Sequence, residues 1–159
     1  MKILKQSLIL ALLALAAGIL FNLVFTSGVN PFKGFTSGID ISLDHRALND
    51  FSDVISAFED GSSVFIDARD KKDFKKGHIP HSLNAPYFYM ERSYAFIAEK
   101  IHLTDTLVFY GEDEKDIAPL RSADYYEKLG FKKTKIVFGG IEKWKALGLP
   151  LDGRNEDAK

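Results

Sequence analysis

Six consecutive residues, Gly111-Glu112-Asp113-Glu114-Lys115-Asp116, follow the apolar run Leu107-Val108-Phe109-Tyr110. Four carboxylates in so short a stretch can ligate a hard cation through oxygen, or can stand as a solvated acidic loop. The spacing lacks the glycine and terminal glutamate of a calcium loop, which favours the solvated reading. Asp67 and Arg69 lie at the end of a second apolar run, Val64-Phe65-Ile66. A carboxylate and a guanidinium at that spacing can bind each other and the backbone of a loop. Gly77 reads as a position whose backbone shape a Cβ would resist. His78 reads as a hydrogen-bonded structural histidine, since no nucleophile is present for it to activate. Asn84, before Ala85-Pro86, reads as the holder of a turn.

The 159-residue chain contains no cysteine. That excludes disulfides, thiolate metal sites, thiol catalysis and lipid attachment to an N-terminal cysteine. His45, His81 and His102 show no pairing at metal-ligand spacing, and Pro80 separates His78 from His81, so neither a metal site nor a cofactor is expected. With a net charge of -1, nothing points to nucleic acid as a partner.

The elements that must position these residues alternate. Residues 39–41 read as a short strand. Ala47, Leu48, Phe51, Val54, Ile55 and Phe58 recur at helical spacing, closed by Gly61. Residues 64–66 read as a strand buried on both faces, 82–84 as a short strand, 87–101 as a helix, and 106–110 as a second buried strand. Pro119 can open a helix that Gly130 ends. Residues 134–138 read as a strand, and Gly139-Gly140 leads into a last helix carrying Ile141, Trp144 and Leu147. Alternating strands and helices predict an α/β layer structure with a mostly parallel sheet. Ligands on such sheets bind beyond the carboxyl ends of the strands, which is where the loop after Tyr110 begins.

Two motifs, in order and at suitable spacing, resemble a known family. The first is Asp67-Ala68-Arg69, then Phe74-Lys75-Lys76-Gly77-His78-Ile79-Pro80, then Asn84-Ala85-Pro86. The second is Gly139-Gly140-Ile141-Glu142-Lys143-Trp144, closing on Gly148-Leu149-Pro150-Leu151. Together they resemble the rhodanese domain over about residues 41–151. The resemblance implies a three-layer α/β domain with a five-stranded, mostly parallel sheet. It also implies that Asp67, Arg69, Gly77, His78, Asn84, Gly139, Gly140 and Trp144 are scaffold. Active relatives carry sulfur on a cysteine that opens the loop after the strand read here as 107–110, and the backbone N–H groups of that loop ring the sulfur. Gly111 stands at that position. The related phosphatase and arsenate reductase chemistries need the same cysteine. The acidic residues 112–116 would moreover repel an anionic sulfur donor. Arg121-Ser122 resembles a pair found late in active loops, but it falls inside the helix opened by Pro119.

Before the domain, residues 7–25 are almost wholly apolar, interrupted by Gly18 and Asn22, after a basic flank over 1–6 with Lys2 and Lys5. As a helix this run is roughly 28 Å long, close to the thickness of a bilayer core. The basic flank predicts a single-pass anchor with a cytoplasmic N-terminus and an extracytoplasmic domain. The alternatives are a signal peptide cleaved near Ala14-Leu15-Ala16, which would release a secreted protein, and a buried core helix. Residues 26–38 have a linker composition, 39–152 form the domain and 153–159 a polar tail.

The first functional expectation is a membrane-anchored, catalytically inactive module that binds a protein partner or a small ligand in the vacated pocket. Tyr87, Phe88, Tyr89, Tyr94 and Phe96 supply aromatic surface for core or partner. The second is an accessory to a sulfurtransferase, or a metal-assisted activity, using a partner's nucleophile. The third is a purely structural part of an envelope complex.

Overall fold

The structure is a computed structural model and describes residues 40–153. The sequence readings over 1–39 and 154–159 lie outside those residues. Among the described residues, no helix is long and apolar enough to cross a membrane.

Five strands form one sheet: β1 (Ala47–Leu48), β2 (Ser63–Asp67), β3 (Leu83–Asn84), β4 (Thr106–Tyr110) and β5 (Lys133–Val137). Their order is β1-β5-β4-β2-β3, and every pairing is parallel. The helices are α1 (Phe51–Glu59), α2 (Lys71–Lys76), α3 (Met90–Ile97), α4 (Ala118–Lys128) and α5 (Gly140–Ala146).

Strand side chains alternate between faces, which divides the core in two. Phe65, Val108, Tyr110 and Val137 pack with Phe51 and Val54 of α1 and Ile141 and Trp144 of α5. Ile66, Leu107, Phe109 and Ile136 pack with Ile97 of α3 and Leu120, Ala123 and Tyr126 of α4. The result is the expected three layers, with β4 central between β5 and β2.

Three expectations need correction. Of the strand read over 39–41, the described residues 40–41 are not a strand: Asp40 caps a 3-10 turn over Ile41–Leu43, its carboxylate accepting the Ser42 N–H at 3.0 Å. The first strand is Ala47–Leu48, which the helical spacing had absorbed into α1. Asp50 explains the boundary, because its side chain accepts the Ser52 N–H at 2.9 Å and starts the helix at Phe51. The segment 87–101 is not one helix but a 3-10 turn (Tyr87–Tyr89), α3, and a second 3-10 turn (Ala98–Lys100). α2 went unread because Lys71-Lys72-Asp73-Phe74-Lys75-Lys76 offers no apolar stripe.

Arg46 fastens the start of β1 to α4. It is buried, and its guanidinium meets Asp44 and Asp124 at 2.8 Å and Glu127 at 3.1 Å. The hydrogen bonds from Arg46 hold the Asp44 carboxyl at about 2, below its ordinary 3.8. A depressed carboxyl pKa gives stability that is present above the unfolded value and is lost as pH falls through the folded one. The melting temperature is therefore expected to fall between about pH 4 and pH 2, and Asp44→Asn to flatten part of that fall. A pH series of thermal melts checks both.

Candidate functional site

The site lies at the carboxyl ends of β2 and β4. Its centre is the Asp67–Arg69 pair, in which Asp67 is fully buried and Arg69 nearly so. Arg69 Nε donates to Asp67 Oδ1 at 3.0 Å and Nη2 to Oδ2 at 2.6 Å. The Arg69 backbone N–H also donates to Oδ1, at 2.9 Å. The remaining guanidinium hydrogens reach outward, from Nη2 to the Gly77 carbonyl at 2.8 Å and from Nη1 to Glu112 Oε2 at 2.9 Å. One arginine thus joins the loop after β2, the end of α2 and the loop after β4. Burial pushes the Asp67 carboxyl up, against the pull of Arg69.

Asn84 holds the loop after β2 rather than the turn at Ala85-Pro86, its amide donating to the carbonyls of Asp67 at 3.2 Å and Arg69 at 2.9 Å. His78 is structural, with its ring stacked on Phe74 at 3.7 Å and Nδ1–H donating to the Phe74 carbonyl at 2.8 Å. Its backbone also pairs with that of Asp152. Gly77 departs from expectation. Its φ of 164° is extended backbone open to any residue, and a Cβ there would meet only Leu151 at an ordinary 3.5 Å. Its contribution is the carbonyl that receives Arg69.

Gly111 is another matter. A Cβ built on it overlaps the Asp116 carboxylate, 2.7 Å from Cγ, and lies 2.9 Å from Pro119 Cγ. Asp116 is fixed there because Oδ2 accepts the Glu112 N–H and Oδ1 the Ala118 N–H, both at 2.9 Å. Asp113 accepts the Lys115 N–H at 2.8 Å. The acidic loop is therefore not simply solvated. Asp116 closes it from within, Asp113 shapes its turn, and Glu112 pairs with Arg69 and stands 4.0 Å from Lys145.

The loop is clamped from the other side by α5. The Ile141 and Glu142 N–H groups donate to the carbonyls of Gly111 and Glu112, each at 3.0 Å. Gly139 and Gly140 have φ of 91° and 54°, and a Cβ on Gly140 would come within 2.6 Å of the Gly111 oxygen. Paired glycines are what this approach requires. Trp144 anchors the helix: fully buried, it packs edge-on to Phe58 at 5.1 Å and donates from Nε1 to the Pro150 carbonyl at 2.7 Å.

The sequence reading missed Tyr110 and Ser82. The Tyr110 hydroxyl lies 2.8 Å from Ser82 Oγ and accepts the Ile79 N–H at 3.2 Å, binding β4 to the segment after His78. Burial, with the Asp67 charge behind it, pushes the phenol well up. A phenol ending an otherwise apolar strand was the available signal. Arg121-Ser122 lies within α4, as the position of Pro119 predicted. Among the described residues, no three His, Asp or Glu side chains gather where a metal ion would fit.

The rhodanese-like domain profile matches residues 50–147. A protein of Buchnera aphidicola subsp. Baizongia pistaciae is 28% identical over 87 residues, which is 55% of this chain and 58% of that relative's length. The BH2092 protein of Bacillus halodurans superposes with a TM-score of 0.61 at 20% identity, covering 69% of this chain and 79% of that one. The rhodanese-like domain of Alr3790 from Anabaena sp. superposes with a TM-score of 0.57 at 21% identity, covering 70% and 82%. At those identities the two structures speak for the fold alone. With the profile spanning more than half its residues, and β2, the Asp67–Arg69 pair and the Gly139-Gly140 clamp arranged around one loop, this chain belongs to the rhodanese-like domain family.

Proposed function

We propose that this protein is a membrane-anchored rhodanese-like domain that carries no sulfur and serves as a binding or regulatory module. One observation carries the reading: the position where a catalytic thiol would project is Gly111, and the Asp116 carboxylate fills the adjoining space. The backbone N–H groups of Glu112 and Ala118 are engaged by that carboxylate. A nucleophilic thiolate needs a side chain to carry it and a positive field to hold it, and this loop supplies neither.

The Asp116 carboxylate standing where a side chain on residue 111 would project favours a protein partner over a small ligand. Exposed Phe88, Tyr89 and Phe96 offer aromatic surface for such a partner. The apolar run over 7–25 supports anchoring, with the N-terminus cytoplasmic and the domain beyond the membrane. The test is a thiosulfate–cyanide sulfurtransferase assay of the purified full-length chain, paired with cross-linking pull-down from its native membrane. The expected outcome is no turnover above background and a stoichiometric partner. Sustained turnover would overturn the inactive assignment.

A further inference from the structure

The two sides of α3 differ sharply. Ser93, Ile97 and Ile101, spaced four apart, are buried and mark the side turned to the domain. Arg92, Ala95, Phe96 and Glu99 are exposed. Their spacing of i, i+3, i+4 and i+7 is that of a single face, running from α3 into the 3-10 turn Ala98–Lys100. Phe96, in the middle of that face, is 71% exposed. Arg92 and Glu99, at its two ends, make no ion pair among the described residues. An apolar centre flanked by polar residues is the anatomy of an interface.

The order of the charges selects the occupant. A two-fold axis crossing the helix between Ala95 and Phe96 sets two copies of it antiparallel. Residues equally far from the axis then lie opposite each other, so Arg92 of one protomer meets Glu99 of the other, twice over. The two Phe96 rings meet beside the axis, where the small side chain of Ala95 leaves room for them. A parallel pair would set Arg92 against Arg92 and Glu99 against Glu99, which is repulsive. An isologous contact requires a surface complementary to itself, and this face has that property in the antiparallel sense alone. We propose that this face of α3 is the contact surface of an antiparallel homodimer centred on Phe96. The proposal names the occupant of the aromatic surface in the reading above and rests on that reading for the surface only. It does not depend on the loss of sulfur chemistry.

The chain has no cysteine, so an introduced thiol reports on its own position alone. Full-length chains carrying Arg92→Cys and Glu99→Cys are mixed in equal amounts and mildly oxidised, and the linked dimers are sorted by mass spectrometry. Each mixed dimer still holds one intact Arg92–Glu99 contact. The 92–99 dimer is expected to exceed the 92–92 and 99–99 dimers about tenfold, since Cα atoms more than ~7 Å apart cannot be bridged. Lys72→Cys on α2 sets the level of random collision. A 92–99 yield at that level, or an excess of like-with-like dimers, overturns the proposal. So does linkage without preference, the result of assembly through any other segment. In sedimentation of the full-length chain at several concentrations, Arg92→Glu is expected to weaken association about tenfold, and Arg92→Glu with Glu99→Arg to restore it. Failure of the exchanged pair to restore association overturns the antiparallel register and the proposal with it. The thiosulfate–cyanide assay decides the inactive reading separately.

Discussion

Replacing Arg69 with methionine is expected to destabilise the domain by about 3–5 kcal/mol, the range for breaking a buried ion pair from one side. The substitution keeps much of the side chain's volume but removes every guanidinium contact. Asp67, with no exposed surface, is left with the Arg69 backbone N–H as its remaining bond from that residue. The Gly77 carbonyl and Glu112 lose their partner as well. A loss of this size is a large share of the total stability of a small domain. The sign of its pH dependence identifies the cause. Without Arg69, burial raises the Asp67 pKa further. A raised carboxyl pKa gives stability that is present below the unfolded value and is lost as pH rises through the folded one. The Arg69→Met protein should therefore be less unstable near pH 5 than at pH 7. Adding Asp67→Asn should restore part of the loss at pH 7. Urea unfolding of Arg69→Met, Asp67→Asn, the double variant and wild type at both pH values makes the measurement. A loss independent of pH, and additive with Asp67→Asn, would mean that packing rather than charge is responsible.

Gly111→Cys is expected to gain no sulfurtransferase activity over background and to lose about 1–3 kcal/mol of stability, the usual range for overpacking. The new side chain must displace the Asp116 carboxylate or Pro119. Moving Asp116 releases the Glu112 and Ala118 N–H groups, so the thiol gains space only by opening the loop that would have to hold it. A thiol beside a carboxylate is also kept protonated. Gly111→Cys with Asp116→Ala should recover part of the stability by removing the overlap, and should still turn over no thiosulfate. Thermal melts and the thiosulfate–cyanide assay on both variants decide the matter. Turnover by Gly111→Cys alone would show that the loop retains a working anion site.

These outcomes depend on features that differed in how far the sequence revealed them. Sheet class, layer number and the two family motifs were legible because buried strands and close-packed glycines leave composition signals. Asp67 and Arg69 came together as their spacing suggested, since their bonds are local, whereas Asn84 reaches them from 15 and 17 residues away, which spacing did not suggest. Arg69 to Glu112 was not legible, because it joins two loops that meet only once β2 and β4 lie side by side. Asp116 was misread for a related reason. In a run of acids it looks solvated, although its place two residues before Ala118 is the sign of a residue that caps a helix start. The Ala47–Leu48 strand was lost to the helical period because two residues cannot display a period of their own. Only pairing with Ile136 and Val137 makes them a strand.

That last pairing bears on how the domain comes into being. β1 is the first strand to leave the ribosome and β5 the last, yet β1 pairs with β5 alone. Until β5 has been synthesised, β1 has no neighbour and the matching edge of β4, with Leu107 and Phe109, stays bare. α5, which clamps the candidate loop, emerges later still. The sheet therefore closes in one late, non-local step, the kind of contact that slows folding and prolongs exposure of apolar edges. β2, β3 and β4 can pair before then, so the growing chain holds a partial sheet whose apolar β4 edge stays open until β5 arrives.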